Sequence, residues 1–335
     1  MPSPKKSLVK TSVARTSVAR TSVIESPLIE YPLTIATSSS ALFDLSESDS
    51  IYRKEGVGAY SKHQKKNENK CLEPGYGFKL ISKILSINKK IMDKFNLDKP
   101  VIEVILLSRN SADTGLRVFN SIRKHKLEIT RAAFCSGLSP VIYGKPFNCQ
   151  LFLSKNQDDV NEFINNGLGA AKIYASTESG DNNDALHIAF DGDAVIFDDL
   201  SEKINEKKGL KAFQKNEEKH AKTPLGPGPF QPFLTALSYI QKNYVNLDED
   251  KTINIKTALF TARSAPAHER VILTLRKWGV HLDNCVFMGG QDKGRFLREF
   301  QADIFFDDKV ENIQSAANNS TTSGHVPRSP SKKRK

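Results

Sequence analysis

One half of this chain repeats the other. Residues 56–140 fall on residues 209–290 at a nearly constant offset of 153. Gly56 meets Gly209, Tyr60 meets Phe213, Leu72 meets Leu225, and Pro74-Gly75 meets Pro227-Gly228. Further on, Arg117-Val118 meets Arg270-Val271, Arg123-Lys124 meets Arg276-Lys277, Phe134 meets Phe287 and Gly137 meets Gly290. The apolar run Val101–Leu107 meets Ile253–Phe260, placing Ser108 on Thr261. Shared glycine and proline positions on one diagonal are shared backbone constraints, so the two segments call for similar folds. Each copy reads as strand, helical insert, strand, helix, strand, strand. The predicted architecture is α/β: two tandem related Rossmann-like units with parallel sheets and small helical cap inserts.

The expected boundaries are 1–32 for a repetitive basic arm, 33–180 for the first unit, 181–323 for the second, and 324–335 for a basic disordered tail. The arm contains Thr-Ser-Val-Ala-Arg twice, at 11–15 and 16–20. The insert of the second unit runs from about Asp198 to Asn246. It holds a charged helical stretch (Glu202–Lys222), a proline-rich break (Pro224–Pro232) and an amphipathic segment (Phe233–Tyr244).

Charge narrows the partners. The net charge is +11, of which residues 1–30 carry +3 and residues 324–335 carry +5, leaving +3 for everything between. A body gripping a polyanion is not indicated, so nucleic acid is not an expected partner. No apolar run approaches the ~20 residues that span a bilayer, so no membrane partner is expected. Four cysteines without a C-x-x-C pair read as reduced buried thiols of a cytoplasmic protein. The ending Lys332-Lys333-Arg334-Lys335 leaves nuclear entry open.

Four segments carry the chemistry. The runs Leu186–Phe190, Ile253–Phe260 and Ile304–Phe306 read as buried parallel strands. They end on Asp191-Gly192-Asp193, on Thr261-Ala262-Arg263 and on Asp307-Asp308, with Lys293 in a glycine-rich loop between the last two. In an open α/β sheet such strand ends face one crevice. There Asp191 is the candidate nucleophile on phosphorus, and Asp193 the acid and base for leaving group and water. The acid role requires Asp193 to be protonated when substrate is bound, which burial and neighbouring acids would favour. Thr261 and Lys293 would hold phosphate oxygens, with Gly192, Ala262 and Arg263 as further substrate contacts. Asp307 and Asp308, side by side, repel unless a cation compensates. With Asp191 and Asp193 (the latter through its backbone carbonyl) they form the expected Mg²⁺ set.

The first copy lacks these acids. Aligned by its nearest aspartate, Asp44 lies 147 before Asp191, and Lys145 lies 148 before Lys293; Ser154-Lys155 fall on Asp307-Asp308. The first unit is therefore expected to be inactive, with Ser108 and Lys145 as residual anion contacts.

In order and content, the four segments resemble the motifs of haloacid-dehalogenase-like phosphatases. More narrowly, residues 34–327 resemble the cytosolic 5′-nucleotidase type I family. The likeness covers Ser40–Asp44, the Ile51-Tyr52…Gly56…Tyr60 stretch, Leu106–Asn110, Gly115–Ile122, Ala189–Phe197, Thr261–Ser264 and Ile304–Asp308. The resemblance implies Mg²⁺-dependent hydrolysis of nucleoside 5′-monophosphates, AMP prominent among them. It is also compatible with a nucleotide effector near the first unit and with a homo-oligomer. The competing expectations are another small-molecule phosphatase or a nucleoside phosphotransferase of the same superfamily, and a non-catalytic nucleotide sensor.

Overall fold

A computed structural model describes residues 33–176 and 184–328. The first half runs β1 (Leu33–Thr37), α1 (Ser39–Leu42), α2 (Ser46–Lys66), α3 (Phe78–Phe95), β2 (Ile102–Ser108), α4 (Ala112–Lys124) and β3 (Ala132–Phe134). A 3-10 turn (Pro140–Tyr143) leads to β4 (Cys149–Ser154), α5 (Gln157–Asn165) and β5 (Gly169–Tyr174). The second half runs β6 (Leu186–Phe190), α6 (Leu200–Lys208), α7 (Leu210–Lys219), α8 (Gln231–Ile240) and β7 (Ile255–Thr261). It ends with α9 (His268–Trp278), β8 (Asn284–Phe287), α10 (Gly294–Glu299), β9 (Ile304–Asp307), α11 (Val310–Asn318) and β10 (Ser323–His325).

All ten strands form one sheet, in the order β3-β2-β1-β4-β5-β10-β9-β6-β7-β8. Read outward from the junction of β5 and β10, the two halves present corresponding strands in the same sequence. Neighbours pair in parallel except β5 and β10, which run antiparallel with Gly324 opposite Ile173. The sequence predicts parallel sheets in two units; in the structure a single antiparallel seam between β5 and β10 merges them into one sheet.

The strands inside the two edges form where the sequence is largely apolar and are buried through most of their length, Leu33–Thr37 wholly so, while the edge strands β3 and β8 are not. Helices cover them with apolar stripes, as α3 does with Leu80, Ile81, Ile84, Ile87 and Ile91. Under the end of β6 lies an aromatic cluster: Phe230 packs 4.7 Å from Phe306, and Phe190 5.8 Å from Phe306. Each of these three rings is fully buried, contributing on the order of 2 kcal/mol apiece by loss of apolar surface. Phe190 and Phe306 immediately precede Asp191 and Asp307, so the packed rings fix where those carboxylates emerge. Helix α8 adds Phe233, Leu234 and Leu237 to this core rather than standing over the crevice.

The repeat has a steric cause at two of its glycines. A Cβ on Gly75 would lie 2.7 Å from the Phe43 carbonyl carbon, and one on Gly228 2.4 Å from the Val195 oxygen. Both glycines let the chain pass against the loop that follows the first strand of their half. Gly56 and Gly209 match in a different way: each turns the chain with φ near +80° (82° and 78°) between two helical stretches.

Strand ends also correct the alignment of the halves. Ser38 follows β1 as Asp191 follows β6, at the undisturbed offset of 153. The loop beyond is one residue longer in the second half. Asp44 donates its N–H to Glu73 as Asp198 does to Gly226, and each carboxylate accepts from the amide two residues on. Asp44 is therefore the counterpart of Asp198, and Ser38-Ser39-Ser40 stand where the second half has Asp191-Gly192-Asp193. Likewise, Pro140 occupies the place of Lys293, while Lys145 is exposed beyond the 3-10 turn and is no anion contact of the crevice.

Two further expectations need revision. The tail expected from residue 324 starts later, because β10 continues through His325, Val326 is buried and Arg328 is paired. Of the four free cysteines, Cys135 and Cys149 are buried, Cys71 is half-buried and Cys285 is exposed on the edge strand β8. Residues 1–32, and with them the repetitive arm, lie outside the described residues. Trp278 packs against the core, its ring 5.6 Å from that of Phe197.

Candidate active site

The four sequence segments meet at the carboxyl ends of β6, β7 and β9. Asp191 is the first residue beyond β6, Thr261 closes β7, Asp307 closes β9 with Asp308 following, and Lys293 immediately precedes α10. Asp191, Asp193, Thr261, Arg263, Lys293, Asp307 and Asp308 are all buried. The Lys293 ammonium bridges two of the acids, donating to Asp191 Oδ1 at 2.5 Å and to Asp307 Oδ2 at 2.6 Å. Asp307 also accepts from the Lys309 amide (2.8 Å) and the Asn312 side chain (2.9 Å).

Asp191, Asp307 and Asp308 each bring a carboxylate oxygen to within 4.8 Å of the other two. Three buried carboxylates meet here: Asp191 and Asp307 share the Lys293 ammonium, and Asp308 pairs with Arg328. Burial drives the Asp191 carboxyl upward from its ordinary value, and repulsion from Asp307 and Asp308 adds to this against the pull of Lys293. Burial likewise pushes Asp308 up to about 6. For Lys293, burial disfavours the charge, but Asp191 and Asp307 outweigh it and hold the ammonium above its usual range. Asp308 Oδ1 is buried with no hydrogen-bond partner among the described residues. An excess of hard anionic oxygens, one of them unpartnered, is a donor set suited to a divalent cation such as Mg²⁺.

Asp193 sits apart from that set. Its carboxylate takes two bonds from Arg263, Nε to Oδ2 at 2.8 Å and Nη2 to Oδ1 at 2.7 Å. The remaining arm of Arg263 donates to Glu217 on α7 at 2.5 Å. Glu217 is fully buried and also accepts from Arg270 (2.9 Å) and Ser201 (2.8 Å). Burial raises its carboxyl, yet the two arginines more than reverse that and leave it below the ordinary range. Arg263, expected to meet substrate, is thus fully occupied between the core and the inserted helices. Thr261 keeps its hydroxyl near the loop, accepting from the Arg263 amide at 3.2 Å, and it faces Gly192, whose missing Cβ would lie 3.4 Å from that hydroxyl. Ala194 turns the loop with φ of 63°.

Glu217, Arg270 and Arg328 were not among the expected site residues. The first two had a signal: Gln64 and Arg117 lie 153 earlier and pair with each other at 2.9 Å, the same contact with an uncharged acceptor. The corresponding crevice in the first half is built of hydroxyls. Ser39 and Ser108 bond at 2.9 Å, and Ser38 accepts the Ala41 amide at 3.1 Å. These groups satisfy one another and call for no cation.

A family model described as 5′-nucleotidase matches residues 26–333. A curated relative, human "Cytosolic 5′-nucleotidase 1B", is 34% identical over 286 residues, covering 85% of this chain. The chain spans about half of that relative, 47% of its length. No solved structure matches. Among the described residues, no helix is long and apolar enough to cross a membrane.

Proposed function

The chain belongs to the 5′-nucleotidase family, and from that premise we propose that it hydrolyses nucleoside 5′-monophosphates, AMP foremost, to nucleoside and phosphate through an aspartyl-phosphate. The observation that carries this reading is the convergence of Asp191, Lys293, Asp307 and Asp308 on one buried cluster at the strand ends. Asp191, Asp307 and Asp308, with the Asp193 carbonyl, would hold Mg²⁺, and when bound that ion supplies positive charge to the phosphoryl oxygens.

Asp191 attacks phosphorus, and the bond to the nucleoside 5′-oxygen breaks as Asp193 delivers a proton to that oxygen. Asp193 then takes a proton from water, which attacks the same phosphorus and frees Asp191. The Thr261 hydroxyl and the Lys293 ammonium hold phosphate oxygens, with Gly192 and Ala262 leaving room for them. For Asp193 to act as an acid, Arg263 must release at least one of its two carboxylate bonds. That exchange would free a guanidinium for the incoming phosphate.

Residues 33–180 and 181–323 act, on this reading, as related haloacid-dehalogenase-like units, the second catalytic and the first without catalytic acids. Their common strand order and their matched glycines support the relation. Within the 198–246 insert, α6 and α7 are the part that covers the site. The matched relative's name favours a cytosolic setting. Phosphate release should be measured from a panel of mononucleotides and sugar phosphates, with and without Mg²⁺. Turnover of nucleoside 5′-monophosphates that requires Mg²⁺ supports the assignment, and preference for a sugar phosphate refutes it.

A further inference from the structure

After β10 the chain turns back across the site. The Val326 amide donates to the Asp307 carbonyl at 2.9 Å, and Arg328 then reaches Asp308, its Nε lying 2.5 Å from Oδ2. The same guanidinium extends to α6, with Nη1 2.7 Å from Glu206 and Nη2 3.5 Å from Glu202. Lys309, next in sequence to Asp308, also meets Glu202 at 2.5 Å. The Asp308 side chain is fully buried, and Arg328 satisfies one of its oxygens while the other has no partner among the described residues. The first half does without this device. Its counterpart of Asp308 is Lys155, already a cation, and Ala175 stands 153 residues before Arg328.

We propose that Arg328 is a positioning residue: it holds Oδ2 of Asp308 so that Oδ1 is left for the cation, and it fastens that carboxylate to α6. The inference rests on the reading of the cluster as a Mg²⁺ site. An arginine suits both tasks because its planar fork can serve two acids at once, whereas an ammonium offers one point of charge. Partners that orient a metal's ligand from behind commonly change metal affinity by about 10–100-fold when removed.

Magnesium binding should be measured by calorimetry without substrate, on the full chain, for the wild type, Arg328→Ala, Arg328→Lys and Glu206→Gln. We expect Arg328→Ala to bind about tenfold more weakly, and Arg328→Lys to recover part of that loss. Glu206→Gln should leave magnesium affinity near the wild-type value while α6 amides exchange faster. Should Arg328→Ala not fold, Arg328→Lys carries the comparison, with weaker binding expected and unchanged binding contrary. Wild-type affinity in a folded Arg328→Ala variant overturns the inference, as does an equal loss in Glu206→Gln, which would reflect general loosening. A wild type that binds no magnesium overturns both this inference and the reading beneath it.

Discussion

Consider Glu217→Gln, which gives the second half the residue its counterpart carries at Gln64. In the first half that amide accepts from a single arginine, Arg117. In the second half the carboxylate is closed in by two, Arg263 at 2.5 Å and Arg270 at 2.9 Å, with no exposed surface of its own. The substitution turns two charge-assisted bonds into at most one neutral-acceptor bond and leaves a buried guanidinium facing an amide. Hydrogen bonds to charged groups are each worth about 1.5–3 kcal/mol, and breaking a buried ion pair costs about 3–5 kcal/mol. Asp193 still neutralises part of Arg263, so the lower end applies, about 3 kcal/mol. Because the chain has one tryptophan, Trp278, and it packs near Phe197 in this half, urea unfolding followed by its fluorescence reports locally. Adding Arg263→Asn, which completes the first-half pattern of Gln64 and Asn110, should reduce the cost of Glu217→Gln to about 1 kcal/mol. A loss below about 0.5 kcal/mol for the single variant, or full additivity in the double, would show that the buried pairing does not stabilise this half.

Other outcomes are expected from the same structure. Asp191→Asn should abolish phosphate release while far-ultraviolet dichroism stays that of the wild type; residual turnover at the wild-type rate would remove the nucleophile assignment. Chelation should stop turnover and added Mg²⁺ restore it, and Asp307→Asn should blunt the restoration; activity in chelator counts against the cation site. Gly228→Ala should cost about 3 kcal/mol, the upper end of the usual range, since its methyl would collide with backbone at 2.4 Å rather than with a yielding side chain; near-wild-type unfolding would contradict the close approach. Asp248 is buried and accepts from Lys94 and from the Ile253 amide; burial opposes its charge, but these bonds bring its carboxyl down from 3.8 to about 2. Its folded value lies below the unfolded one, so its stabilisation is complete above about pH 4 and fades as pH falls through about 2. Asp248→Asn should flatten that acid limb, and an unchanged limb would mean that other carboxylates set it.

Much of this was legible because buried parallel strands announce themselves as apolar runs and their ends mark the crevice. The run Leu186–Phe190 coincides with β6, and Ile253–Phe260 and Ile304–Phe306 match β7 and β9 to within two residues. The register between the halves departs from the sequence reading at two points, where identical residue types pair Asp44 with Asp191 and Lys145 with Lys293. Strand ends, not residue identity, fix that correspondence, and a one-residue difference in loop length hid it. The partners of Asp193 and Asp308 were beyond reach for another reason. Arg263 and Arg328 are brought to their acids by tertiary packing, and no local spacing encodes a contact 20 to 70 residues long. The antiparallel seam was equally silent, since β5 and β10 carry no mark of which neighbour they will choose.

That seam bears on why a half without the clustered carboxylates should persist. Taken away from its twin, the second half would present β10 as a bare rim of unpaired amides and carbonyls, an invitation to cross-pairing between molecules. Dissection at the midpoint should therefore give two insoluble fragments rather than a small working enzyme, and co-expression should rescue both. On this view the first half supplies its sibling with the strand that closes an otherwise sticky border, a duty that does not depend on chemistry.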